Sequence, residues 1–155
     1  MRTDSSPPRH QGENGLPEDA EGRADREFEP VSEDVDKLAH EVVDAAFRVH
    51  KSLGPGLLES VYETCLVYEL KKRGVRVESQ VSLPVTYEHV RLESGLRLDI
   101  LVEKKVIVEV KSVEKVTPLH EAQLMTYLKL TGIRLGLLLN FNVPYARDGI
   151  RRIVI

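Results

Sequence analysis

The sequence predicts one α/β domain, a mixed sheet flanked by helices, preceded by an acidic tail. Three observations point there. Apolar residues recur at helical spacing from Val35 to Leu70, then alternate with polar ones from Val75 onward, and Leu135 to Leu139 form a continuous apolar run. A run of that last kind is the signature of a strand covered on both faces.

Residues 1 to 30 are rich in Pro, Gly, Ser, Glu and Arg, with almost no aliphatic residues. Such a stretch cannot bury enough apolar area to offset chain entropy, so it is expected to be a disordered tail, with the domain occupying 31–155. Val35, Leu38, Val42, Ala46 and Val49 then mark a first helix, with Ser32 as its N-cap. Leu53-Gly54-Pro55-Gly56 breaks it. A second helix is expected from near Leu57 to Leu70, with Gly74 as a left-handed stop. Val75 to Tyr87 predicts one extended strand, or two interrupted near Pro84. Leu96–Val102 and Val106–Ser112 read as a hairpin around Glu103-Lys104-Lys105. Thr117-Pro118 opens a third helix that Gly132 closes. The buried strand follows, and Ile150–Ile155 is a candidate last strand. The order is α-α-β-β-β-α-β, without internal repeat.

Composition narrows function only a little. The 155 residues carry a net charge of −3, but the first 30 hold eight acids against four arginines, leaving 31–155 at +1. That balance neither supports nor excludes a nucleic-acid partner. No apolar run is long enough to span a membrane, and the opening residues lack the apolar region of a secretory signal. The lone Cys65 rules out an internal disulfide and a cysteine-based metal site, and fits a core thiol. The cytoplasm is the expected compartment.

The candidate chemistry lies in the hairpin. A turn centred on Lys104 puts Asp99 across from Glu109, with Cβ atoms about 5 Å apart. Lys111, two residues beyond Glu109, projects from the same face. Two carboxylates and an ammonium on one face suit Mg²⁺ or Mn²⁺, and a lysine beside such an ion can orient or deprotonate a water. The alternative is a solvated face with a cross-strand salt bridge, and the turn lacks the usual Gly or Asn. On the second helix Glu59, Tyr62, Leu66 and Leu70 form one stripe. A carboxylate aligned with that stripe calls for a partner, which a metal ion would provide; otherwise Glu59 serves the helix dipole. Gln123 and Tyr127 share a face of the third helix, with His120 one turn earlier. They suit a phosphate or the lysine, or are ordinary polar decoration. His50 and His120 lack zinc-ligand spacing.

Taken together, these residues resemble a known family. Gly56-Leu57-Leu58-Glu59-Ser60-Val61-Tyr62 fits the GxxExxY signature of a group of small prokaryotic PD-(D/E)XK-like proteins. Val49 to Gly56, Asp99, Glu109-Val110-Lys111, His120-Glu121-Ala122-Gln123 with Tyr127, and Asn140 to Pro144 are similar to it as well, so the likeness covers about residues 35 to 155. The resemblance implies a restriction-endonuclease-like core of αβββαβ topology. It implies that Asp99 and Glu109 bind the metal, that Lys111 acts on the water, and that Glu59 completes the site. Gln123, Tyr127 and Tyr62 become substrate-binding or supporting side chains.

Two functions remain open on this basis. One is a Mg²⁺- or Mn²⁺-dependent phosphodiesterase acting on DNA ahead of RNA. The other is a non-catalytic nuclease-fold module that binds nucleic acid or a protein partner, which the modest charge favours. So small a domain would take its specificity from partners or from homo-oligomerisation.

Overall fold

Helix α1 spans Glu33–Leu53 and helix α2 spans Glu59–Lys72 in the computed structural model of the chain, which describes residues 29–155. The expected tail lies outside the described residues as far as residue 28. Acidic residues fill the first turn of α1, and His50 and Lys51 lie in its last, an order that suits the helix dipole. Ser32 takes the N-cap position without a side-chain cap bond; its carbonyl accepts from the Asp36 amide at 3.0 Å. α2 starts at Glu59 rather than near Leu57, because Leu58 is extended at φ −66°, ψ 145°. Beyond its end Gly74 is left-handed at φ 78°, and the amides of Gly74 and Val75 reach back to the carbonyls of Lys71 and Leu70.

Strands β1 (Val77–Tyr87), β2 (Val90–Val102), β3 (Val106–Lys111), β4 (Leu135–Asn140) and β5 (Ile150–Val154) form one sheet in sequence order. Neighbours are antiparallel except β3 and β4, which run parallel and are joined through helix α3 (Pro118–Thr131). This is the mixed, helix-flanked sheet that the sequence predicts. β2 begins well before Leu96, because the β1–β2 hairpin closes up to Tyr87 opposite Val90. Pro84 does not split β1; the register shifts there, between Leu83 and Val85. α3 has the expected Thr117 N-cap and a left-handed Gly132 at φ 73°. Its capping box is completed by His120, whose ring accepts from the Thr117 amide at 3.1 Å.

The centre of the sheet, β3 and β4, is buried on both faces. α1 and α2 cover one, packing Val42, Ala46, Tyr62 and Leu66 against Ile100, Val108, Val110, Leu137 and Leu139. α3 covers the other, with Leu124 and Leu128 against Leu101, Ile107 and Leu138. Every residue of β4 is buried. Among the described residues no helix is long and apolar enough to cross a membrane.

Two strands change faces along their length. Val77, Ile100 and Val102 pack with α1 and α2, whereas Val81, Leu83, Leu96 and Leu98 pack on the α3 side. Strict alternation would keep residues an even number apart on one face. The switch falls at Gln80 and Asp99, which occupy the gap in the β1–β2 ladder between the pairs Ser79–Ile100 and Val81–Leu98. Gln80 has φ 52°.

Candidate metal and active site

The β2–β3 ladder runs from Val102 opposite Val106 to Ile100 opposite Val108 and ends there. The turn is therefore centred on Lys104, and the next facing positions are Asp99 and Glu109. Glu103 and Lys104 turn left-handed at φ 50° and 56°, doing what Gly or Asn would do more cheaply. Glu103 is held in place by Arg76, whose amide donates to its carboxylate at 2.9 Å and whose carbonyl accepts from its amide at 2.9 Å.

Where the backbone ladder ends, side chains replace it. The Asp99 amide donates to Glu109 Oε1 at 3.3 Å, and the Val110 amide donates to Asp99 Oδ2 at 3.0 Å. Each carboxylate thus accepts from the strand opposite its own. Glu109 is 4% exposed. Burial, and next the negative charge of Asp99, push its carboxyl up to about 9, with Lys111 pulling the other way.

Lys111 is the last residue of β3, and its position is set by the loop beyond β4. The Phe141 amide donates to the Lys111 carbonyl at 2.9 Å. Buried Asn140 clamps Val113, accepting from its amide at 3.1 Å and donating to its carbonyl at 2.9 Å.

Glu59 opens α2 and faces the same charges. Burial raises its carboxyl; Lys111 lowers it, Asp99 and Glu63 raise it, and His120 lowers it. The first turn of α2 therefore borders the hairpin charges, and His120 in the first turn of α3 borders Glu59. Glu63, one turn after Glu59, is held above its ordinary value by burial, lowered by its hydrogen bond with Gln80, and raised by Asp99. Glu63 does not stand out in the sequence pattern. Its spacing of four from Glu59 was the available signal.

Tyr62 explains the glycine-rich approach to Glu59. It is fully buried, its ring stacked on Phe141 at 4.6 Å between centroids. Its hydroxyl donates to the Gly54 carbonyl at 2.5 Å and accepts from the Leu57 amide at 3.1 Å. Ser112, next to Lys111, donates to the Leu57 carbonyl at 2.6 Å. His50 Nε2 lies 2.8 Å from the Val143 carbonyl. The motif residues that straddle Glu59 are thus bonded to the segments that hold Lys111. Gly54 and Gly56, at φ 70° and 95°, make the turn between α1 and Glu59.

On α3, Gln123 donates to the Tyr127 hydroxyl at 2.7 Å. Burial raises the Tyr127 phenol, the charge of Glu109 raises it further, the Gln123 hydrogen bond lowers it, and Asp99 adds a smaller rise. Tyr127 accordingly looks onto the same two acids from the side opposite α2.

The donor set fits a hard divalent cation. Among the described residues no group of three or more His, Cys, Asp or Glu is arranged to hold a metal ion. Mg²⁺, however, keeps several waters and takes only one or two protein carboxylates. Asp99 and Glu109 could provide that pair. A cation there would also neutralise the buried charge that now drives the Glu109 carboxyl upward.

Comparison with known families places the chain by its sequence. The chain matches the PD-(D/E)XK nuclease superfamily over residues 36–153, and it belongs to that superfamily. Its mixed α/β fold is consistent with the restriction-endonuclease-like core of that superfamily. No curated protein and no solved structure matches the chain.

Proposed function

We propose that this protein is a divalent-metal-dependent nuclease that hydrolyses phosphodiester bonds of nucleic acid, with DNA the assigned substrate and RNA its control. The observation that carries the reading is the crossed pair of acids, Asp99 and Glu109, with Lys111 at the end of the same strand. In this reading Asp99 and Glu109 hold Mg²⁺ or Mn²⁺ and Glu59 closes the site from α2. Lys111 orients or deprotonates the attacking water. When bound, the cation would supply the charge that activates water and stabilises the pentacovalent phosphorus. Gln123 and Tyr127 lie where they can hold a phosphate or steady the lysine. Tyr62 supports the site by fixing the loop before Glu59. Leu58 and Leu119, 74% and 75% exposed, immediately precede Glu59 and His120. Apolar tips so placed suit contact with nucleobase faces.

We also assign the chain to the GxxExxY group, with 31–155 as the nuclease-like domain, 1–30 as a separable tail, and the cytoplasm as its compartment. The near-neutral charge of 31–155 favours a second reading, a non-catalytic module that binds nucleic acid or a protein partner. Purified protein incubated with Mg²⁺ or Mn²⁺ and single-stranded, duplex or branched DNA, or RNA, separates the two. Cleavage that chelation and Asp99→Asn both abolish supports the nuclease. Binding without cleavage on every substrate supports the module.

A further inference from the structure

We propose that Gln80 is the positioning residue for Asp99: clamped between α2 and β2, it fixes the point where β1 and β2 change faces and so aims the Asp99 carboxylate at β3. Four residues other than glycine have positive φ among those described, namely Gln80, Glu88, Glu103 and Lys104. The last three lie in hairpin turns, where left-handed backbone is required. Gln80 lies inside β1, away from any turn, at the skipped pair of the ladder. A long side chain in that conformation persists only if its surroundings hold it there.

The clamp is on both ends of the amide. Gln80 Nε2 donates to Glu63 Oε1 on α2 at 2.6 Å, and Gln80 Oε1 accepts from Arg97 Nε on β2. Both partners are ionisable groups, and a charge on either strengthens its bond to the amide. Arg97 is two residues before Asp99, and Gln80 faces Asp99 across the skipped pair of the ladder. Past this point Leu98 and Ile100 lie on opposite sides of the sheet. Asp99, between them, turns its carboxylate along the sheet to the Val110 amide at 3.0 Å. A regular strand would instead send it straight up or down from the sheet, as alternation requires.

The Val110 amide reports this orientation without any metal, so the test stands apart from the nuclease reading. Hydrogen exchange is followed by NMR on the full chain as parent, Gln80→Gly and Gln80→Ala. Glycine suits the left-handed backbone but lacks the clamp, so Gln80→Gly should melt within a few degrees of the parent. In both variants Val110 should exchange at least about tenfold faster, while Val108 and Leu138 keep their protection. If Gln80→Ala fails to fold, Gln80→Gly alone decides. Mn²⁺ titrations of the same samples should show at least about tenfold weaker binding in Gln80→Gly. Parent-like exchange at Val110 in Gln80→Gly, or an unprotected Val110 in the parent, overturns the inference. A parent that binds no Mn²⁺ counts against the nuclease reading, and the Val110 comparison still decides the role of Gln80.

Discussion

Asp99 and Glu109 exchange hydrogen bonds across the end of the β2–β3 ladder. The Asp99 amide reaches Glu109 Oε1, and the amide next to Glu109, that of Val110, reaches Asp99 Oδ2. Two acids are thereby fixed side by side, one of them almost fully buried, at the point where the two strands stop pairing.

The burial of Glu109, with Asp99 beside it, makes stability depend on pH in an unusual direction. The Glu109 carboxyl rises from an ordinary 4.5 to about 9 in the folded protein. Between those values the folded chain holds a proton that the unfolded chain releases, so metal-free stability should fall as pH rises from about 4.5 through about 9. Glu109→Gln should flatten that slope. Melting temperatures at several pH values, with chelator and with Mn²⁺, check it. A stability that climbs with pH across this window in the metal-free parent would contradict the burial of an unneutralised Glu109.

Asp99→Asn keeps an oxygen for the Val110 amide but removes the charge that, after burial, most disfavours ionised Glu109. The metal-free variant should melt at or above the parent temperature, and Mn²⁺ should no longer raise it. Functional acids commonly carry such a stability cost. Thermal melts with and without Mn²⁺ give the answer. A metal-free variant that melts many degrees lower would mark Asp99 as a structural partner instead.

Tyr62→Phe retains the ring stacked on Phe141 and deletes only the hydroxyl that serves Gly54 and Leu57. Leaving those backbone groups without a partner should cost about 1–3 kcal/mol, measured by urea unfolding. If the loop also positions Glu59, Mn²⁺ affinity should weaken along with it. A stability loss under about 0.5 kcal/mol would mean that water replaces the hydroxyl freely.

Much of this architecture was legible from residue pattern alone. The change of period after Leu70, Gly74 as a left-handed stop and Thr117 as an N-cap all predicted elements that exist. A turn centred on Lys104, the premise that faces Asp99 with Glu109, is present, even though its left-handed residues are Glu and Lys. What stayed hidden depends on contacts between distant segments. Nothing in the alternation of β1 announces that Gln80 is left-handed, because the conformation is held by Glu63 and Arg97, seventeen residues away on either side. For Tyr62 the pattern shows a place on a helical stripe and in the GxxExxY motif, but not how it acts. Its role emerges when the Gly54–Leu57 loop folds back over its hydroxyl. β2 starts earlier than the residue pattern announces, because Glu88-His89 is not a usual hairpin pair, yet Glu88 takes φ 51°.

Lys111→Ala, followed by single-turnover cleavage of DNA at saturating Mn²⁺, tests the central claim most directly. Its ammonium acts electrostatically on both Glu59 and Glu109, and its carbonyl is fixed by Phe141. If Lys111 handles the proton of the attacking water, the cleavage rate should drop by about 10²–10⁴-fold. Mn²⁺ affinity should hold or improve, because a positive charge beside the cation has gone. A parent protein that cleaves while Lys111→Ala binds Mn²⁺ and cleaves at the parent rate would contradict the catalytic assignment.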